Sequence, residues 1–253
     1  MATAADHAAA RRIAEATGEL LVAVRDRMFR LGADTWTVRD TGDLEAHDFI
    51  VGELRRQFPD DGILSEEGRD DLARLHKKRV WIVDPLDGTR EFSEPGRTDW
   101  AVHIALAENG VPTAGAVALP AVGITLGTDD PPDLPPPQGG PPRMVVSRTR
   151  PPAAAVIVAR AIGAELYALG SAGAKAMAVL LGHADIYAHS GGQYEWDNCA
   201  PAAVAIAAGC HVSRCDGSAL QYNDADPWLP DFVICRPELA DDSMAALRRA
   251  IDG

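Results

Sequence analysis

The residues of this 253-residue chain best equipped for chemistry are Asp84 and Asp87, within the run Trp81-Ile82-Val83-Asp84-Pro85-Leu86-Asp87-Gly88-Thr89-Arg90-Glu91-Phe92. Trp81, Ile82 and Val83 are strand formers and predict a buried strand that ends at the first carboxylate. Pro85 fixes φ and Gly88 admits a turn closed to other residues, so both acids are expected at a rigid strand end. Two carboxylates about 4 Å apart repel by roughly 4 kcal/mol at an effective dielectric of about 20, which calls for a cation between them. A hard divalent ion such as Mg²⁺ takes oxygen ligands. Beyond Gly88, free backbone N–H groups and the Thr89 hydroxyl can meet an anion, as at turns that open into a helix. A metal beside an anion points to a phosphate ester. Taken singly, Asp-Pro and Asp-Gly are ordinary turn formers.

The elements that must hold this strand end can be read along the chain. Ile13, Thr17, Leu20, Leu21, Val24 and Met28 fall at helical spacing and predict a first amphipathic helix. Residues 36–38 suggest a short strand and 39–42 a polar turn. Asp43 then stands where an N-cap belongs, ahead of a helix whose apolar face is Leu44, His47, Val51, Leu54 and Phe58 and which Pro59 stops. His47 reads as a core residue. Ile63-Leu64-Ser65 is a short strand ending at Glu66-Glu67, and residues 69–79 read as a solvated connection. Residues 100–107 and 113–119 form a hairpin about Glu108-Asn109-Gly110, with a further strand at 123–128.

Seven prolines and two glycines between Asp130 and Arg143 exclude a packed helix or central strand there and mark a loop between a lobe of residues 1–142 and a lobe of residues 143–253. The second half alternates strands at 144–147, 165–169, 184–188, 211–213 and 232–235 with helices at 153–162, 172–181, 197–208 and 239–251, the pattern of an α/β lobe.

A formal net charge of −13 argues against binding to nucleic acid polymers or anionic membranes by bulk electrostatics. No segment approaches eighteen uninterrupted apolar residues, and Cys199, Cys210, Cys215 and Cys235 form no Cys-x-x-Cys pair, so reduced thiols in a cytoplasmic protein are expected. Serine-hydrolase, zincin and dinucleotide signatures are absent, and Gly170-Ser171-Ala172-Gly173-Ala174-Lys175 lacks the spacing of a nucleotide phosphate loop and reads as helix-start packing. Asp197, in Glu195-Trp196-Asp197 at a helix start, either caps that helix or faces a metal. Asp43, Glu66, Glu67, Asp84, Asp87 and Asp197 together supply acids at element ends, as a two-metal phosphatase requires.

The strings Glu66-Glu67, Asp84-Pro85-Leu86-Asp87-Gly88-Thr89 and Trp196-Asp197 resemble the inositol monophosphatase superfamily over nearly the whole chain. Within it, Leu64-Ser65-Glu66-Glu67 and Asp87-Gly88-Thr89-Arg90-Glu91-Phe92 look closest to the bacterial adenosine 3',5'-bisphosphate (PAP) phosphatases of sulfate assimilation. Inositol monophosphatases more often carry Asn before that Phe. The resemblance implies a five-layered αβαβα sandwich of the sugar phosphatase type and removal of a 3'-phosphate by metal-activated water. It places Glu66, Asp84 and the Leu86 carbonyl on one Mg²⁺ and Asp84, Asp87 and Asp197 on a second, with Li⁺ as an inhibitor. Asp43 and Thr89 would orient the water with Glu67 behind them, and Gly88 and Thr89 would hold the phosphate, near which Asp87 and Arg90 also stand. Ser147-Arg148 resembles the segment that approaches the nucleotide, so Arg148 would take the other phosphate.

One departure is plain. The family's longer segment Lys-x-Asp-x-Ser-x-Val-Thr-x-x-Asp is reduced here to Arg39-Asp40-Thr41-Gly42-Asp43, which puts a third metal in doubt. The other readings are an inositol phosphate or fructose bisphosphate phosphatase on the same scaffold, and a nucleotide-binding module without turnover. An aspartate-nucleophile phosphatase of the haloacid dehalogenase type needs acids two apart, not three. A small phosphorylated molecule is the expected partner, and a monomer or homodimer the expected assembly.

Overall fold

The computed structural model describes residues 1–148 and 151–251. Its frame is two five-stranded mixed sheets. The first takes the order β1 (Gly62–Ser65), β2 (Arg79–Asp87), β3 (Ala101–Glu108), β4 (Val111–Leu119), β5 (Ile124–Gly127), with β1 parallel to β2 and the rest antiparallel. The second takes the order β7 (Glu165–Leu169), β6 (Arg143–Ser147), β8 (Ile186–Tyr194), β10 (Trp228–Cys235), β9 (His211–Ser213). Helices α1 (Ala4–Arg30) and α2 (Thr35–Gln57) cover the outer face of the first sheet, α5 (Ala172–Leu180) and α6 (Glu195–Ala207) lie between the sheets, and α4 (Ala153–Ile162) and α7 (Ala240–Ile251) cover the far face of the second. Three apolar cores fill the spaces between these layers. The expected five-layered αβαβα sandwich is therefore the fold observed, with its central layer shared by both sheets.

Most strands and helices fall where periodicity placed them; α2 does not. Trp36, Thr37 and Val38 are not a strand, residues 39–42 are not a turn, and Asp43 is not an N-cap, because one helix runs unbroken from Thr35. Asp34 is the cap, its carboxylate accepting from the Thr37 N–H at 2.9 Å. Strand propensity is weak beside burial. Val38, Gly42, Ala46 and Ile50 recur at four-residue spacing and form the buried stripe of α2. Gly42 is there for closeness: a Cβ would lie 2.8 Å from Phe92 and 2.9 Å from Leu86. Leu44, expected on the apolar face, is instead turned outward and exposed.

The connection from Arg69 to Arg79 is likewise not simply solvated. Arg74 is 2% exposed and ties the two halves of the chain together. Its Nε donates to Asp70 at 2.7 Å, Nη1 to the Asn223 side chain at 2.7 Å and Nη2 to the Asp224 carbonyl at 2.9 Å. The N–H groups of Asn223 and Asp224 in turn donate to the buried Glu195 carboxylate at 2.7 and 2.8 Å. Arg74→Met leaves these acceptors without a donor and is expected to lower stability in urea unfolding by about 3 kcal/mol. An unchanged midpoint would show that the network contributes nothing.

Candidate active site

A bulge in β2 sets the geometry. Asp84 lies opposite His103 and Asp87 opposite Ala101, so three residue steps along β2 match two along β3. In a regular strand, residues three apart point to opposite faces; one extra residue brings both carboxylates to the same face. Pro85, inside the irregularity, has no N–H to lose from the ladder. Gly88 follows at φ +86°, and the short helix α3 (Thr89–Ser93) begins immediately after it.

Two further elements deliver the remaining acids. Parallel pairing of β1 with β2 sets Ser65 beside Val83, and the Glu66 N–H continues to the Val83 carbonyl at 3.3 Å. Glu66 therefore emerges next to Asp84, whose carboxyl shares a hydrogen bond with it. From the central layer, Asp197 enters in the first turn of α6. It accepts from the Tyr194 N–H at 2.6 Å and still faces the sheet, so capping and the site are both served. Among the described residues, Asp84, Asp87 and Asp197 bring one carboxylate oxygen each within 4.8 Å of one another. Asp43 joins from α2, two turns inside the helix, where it senses Glu66 and Glu67.

The electrostatics show what this crowding does. Burial, reinforced by Glu66, Asp87 and Asp197, holds Asp84 well above the usual carboxylate range. Glu66 stands exposed at the mouth of the cluster, yet partial desolvation and then Asp197 push it to about 7; burial and then Asp87 push Asp197 to about 6. Burial and then Glu67 and Glu66 push Asp43 to about 8. Asp87 behaves oppositely. Burial alone would raise it, but His103, Lys175 and Ser171 bring it down to about 2. An all-oxygen set with uncompensated charge fits a hard divalent cation, because the ion removes the repulsion that otherwise forces protonation.

Asp87 is fixed by contacts that sequence reading missed. The Ser171 hydroxyl donates to it, as do the N–H groups of Ala172 at 3.1 Å and Gly173 at 2.6 Å. The string 170–175 is thus helix-start packing, as expected, but packing that holds a site carboxylate. His103 is fully buried below. Its Nδ1 lies 3.0 Å from the Trp196 carbonyl and so donates, while Nε2 stands 3.1 Å from Asp87 Oδ2, out of line for a ring hydrogen bond. A Cβ on Gly173 would lie 2.2 Å from that nitrogen, so the approach of α5 to His103 requires glycine. Lys175, also buried, turns its ammonium onto the Gly170 and Ser171 carbonyls. Nothing local marks His103, which reads as one more residue of an apolar strand.

Other candidates are placed as follows. Leu86 is buried and its N–H donates to Asp84 Oδ1 at 3.0 Å; Gly88 and Thr89 are partly buried at the turn; Glu67 is exposed. Arg90 is exposed with Nε 3.3 Å from Glu94. Ser147 ends β6, and Arg148 after it pairs with Glu91 at 2.6 Å and Glu94 at 3.3 Å. Glu91 is itself buried against Gly170, where a Cβ would lie 2.4 Å from its side chain. The segment at Arg39 is locked to α3, Arg39 Nε donating to the Ser93 hydroxyl at 2.9 Å. His47 is structural: its Nδ1 meets the hydroxyl of Ser65, the residue before Glu66, at 2.9 Å. The groove of about 460 Å³ lined by Glu15, Gly18, Val22, Pro120 and Ile124 contains none of the clustered acids, so size does not mark this site. All four cysteines are free and buried, and among the described residues no helix is long and apolar enough to cross a membrane.

Comparison with known proteins agrees with this geometry. A 3'-phosphoadenosine 5'-phosphate phosphatase of Mycobacterium bovis is 49% identical over 242 residues, 92% of this chain and 90% of the relative. The 3'(2'),5'-bisphosphate nucleotidase CysQ of Escherichia coli K12 is 31% identical over 207 residues, 76% of this chain and 82% of the relative. The crystal structure of CysQ from Bacteroides thetaiotaomicron, a bacterial member of the inositol monophosphatase family, superposes with a TM-score of 0.76 at 26% identity, covering 92% of this chain and 97% of that one. The model of the inositol monophosphatase family matches residues 2–129 and 145–251. With both sheets, apart from the first two residues of β6, and the carboxylate cluster inside the matched residues, the chain belongs to the inositol monophosphatase family.

Proposed function

We propose that the protein is a Mg²⁺-dependent phosphomonoesterase that removes the 3'-phosphate of adenosine 3',5'-bisphosphate, and of its 5'-sulfated relative, in the cytoplasmic reactions of sulfate assimilation. The observation that carries the reaction class is the convergence of Asp84, Asp87 and Asp197 from two layers, with Glu66 against Asp84. The substrate rests on the names borne by the relatives at 49% and 31% identity.

In this reading Glu66, Asp84 and the Leu86 carbonyl would hold one ion and Asp84, Asp87 and Asp197 would hold a second. When bound, the ions acidify water and neutralise charge on the leaving oxygen. The chain does the rest. Gly88 and Thr89 would present N–H groups to the phosphate, Asp43 and the Thr89 hydroxyl would orient the attacking water, whose proton would end on the Asp43 carboxylate, and Glu67 would stand behind Asp43. Asp87, fastened to the start of α5, keeps its orientation without help from substrate. Arg90 and Arg148 share Glu94, and the second phosphate of the substrate would take that carboxylate's place beside them. Ser147 lies at the same strand end. The lobes of residues 1–142 and 143–253 each contribute part of the site, the second supplying Asp197 and α5.

Phosphate release from adenosine 3',5'-bisphosphate, inositol 1-phosphate and fructose 1,6-bisphosphate, each with Mg²⁺, with chelator and with added Li⁺, tests this reading. At least about tenfold higher kcat/KM for the nucleotide, lost with chelator and inhibited by Li⁺, is expected. Equal or better turnover of either sugar phosphate would overturn the substrate while keeping the site.

A further inference from the structure

Beside Asp197 lies a group of aromatic side chains that the phosphate chemistry does not use. The Tyr194 ring is stacked on Trp196, with centroids 4.8 Å apart and planes 12° from parallel. Tyr194 is nevertheless 46% exposed, so the stacking on Trp196 does not bury it. Trp228 is opposite Tyr194 across the β8–β10 pair and is 48% exposed. It reaches over Gly192, where a Cβ would lie 2.4 Å from the indole nitrogen. Gly191 and Gly192, at φ +102° and +97°, put no side chain on this stretch of β8. The result is a strip of backbone with no side chains of its own, open at Gly191, covered by Trp228 at Gly192 and bordered by aromatic residues.

We propose that this strip is the nucleobase subsite, with the exposed ring of Tyr194 as the stacking surface, Trp196 as its backing and Trp228 as its side wall. The proposal rests on the nucleotide reading given above. Three observations support it. First, proximity: the Tyr194 N–H donates to the Asp197 carboxylate at 2.6 Å, so the ring belongs to a residue that touches the phosphate site, and in a nucleotide only one ribose separates the 3'-phosphate from the base. Second, rigidity: the phenol is pre-stacked, which lowers the ordering cost of binding. Third, chemistry: the chain is strongly acidic, so a neutral, planar, polarisable group suits this edge better than another anion. Stacking on an aromatic side chain does not depend on which base is present. The subsite would therefore favour nucleotides over sugar phosphates without strict selection for adenine.

The test compares AMP, the expected product, with ribose 5-phosphate, which has the same phosphate and sugar but no base. Binding of each is measured by calorimetry with Mg²⁺ present, for the wild type, Tyr194→Ala, Tyr194→Phe and Trp228→Ala. Wild type is expected to bind AMP tighter than ribose 5-phosphate by about 5- to 150-fold, the range for one stacked base. The gap should collapse in Tyr194→Ala, persist in Tyr194→Phe and narrow in Trp228→Ala. The wild-type gap needs no variant and so survives a folding failure. Equal wild-type affinities, or a gap unchanged in both alanine variants, would overturn the subsite. Failure of the parent reading looks different: no turnover of adenosine 3',5'-bisphosphate, whatever the size of the gap.

Discussion

Asp84→Asn is expected to reduce Mg²⁺-dependent phosphate release by about 10³-fold or more and, in the same protein, to raise the melting temperature measured without metal. The two effects have one cause. Asp84 is 1% exposed and faces Glu66, Asp87 and Asp197, so its charge is tolerable only when a cation answers it. Asparagine keeps the volume and the acceptor oxygen for the Leu86 N–H but removes the charge on which the proposed ion pair depends. Loss of one electrostatic contact at a reacting centre costs roughly 10²–10³ in rate, and a group shared by two ions exceeds that. Without metal, the same change relieves repulsion among buried acids and stabilises the fold. Full activity in this variant would remove the site; lost activity with a lower metal-free melting temperature would show that Asp84 is needed mainly for folding.

The second large effect concerns pH. In metal-free protein, Asp43 at about 8, Glu66 at about 7 and Asp197 at about 6 lie above their ordinary values of 3.8, 4.5 and 3.8. Between those limits the folded chain binds more protons than the unfolded chain, so stability falls as pH rises. Thermal unfolding in chelator should therefore show the melting temperature dropping from about pH 5 to pH 9. Asp87, held near 2, acts in the opposite sense and only at the acid end, below its ordinary 3.8. Mg²⁺ at about 100 times its dissociation constant should add about 2.7 kcal/mol, or roughly 5–10 °C, and its benefit should grow with pH as the carboxylates give up protons. A metal-free profile that is flat, or that rises toward pH 9, would contradict the crowding described here.

How far the sequence led can be judged residue by residue. Asp84-Pro85-Leu86-Asp87-Gly88-Thr89 announced a strand and a glycine turn, and the structure has both; but β2 does not end at Asp84, it runs on to Asp87, and in place of the expected corner there is a bulge inside the strand. The hairpin at Glu108-Asn109-Gly110, the stop at Pro59 and the alternation after residue 143 were equally legible. These depend on turn chemistry and on periodicity within a few residues, which act wherever the segment sits. The first turns of α2 were not legible. Trp36-Thr37-Val38 favours a strand locally, and only the stripe through Val38, Gly42, Ala46 and Ile50, pressed against Phe92 and Leu86, makes a helix the better state. Arg74 read as one charge among many until loop 223–224 closed over it.

The site divides in the same way. The sequence by itself determined which groups would carry the chemistry, because carboxylates, a glycine turn and a hydroxyl have fixed affinities for cations and anions wherever they are placed. Tertiary structure alone decided their company. Asp197 meets Asp84 because the central helical layer packs on the first sheet. Asp87 stays ionised because His103 of β3 and residues 171 and 173 at the start of α5 converge on it from two elements far apart in the chain. Tyr194, at the end of β8, stacks on Trp196 of the next element and yet stays 46% exposed. Such contacts join residues tens of positions apart, and the energy that selects them is burial of whole faces, which no short stretch of sequence contains.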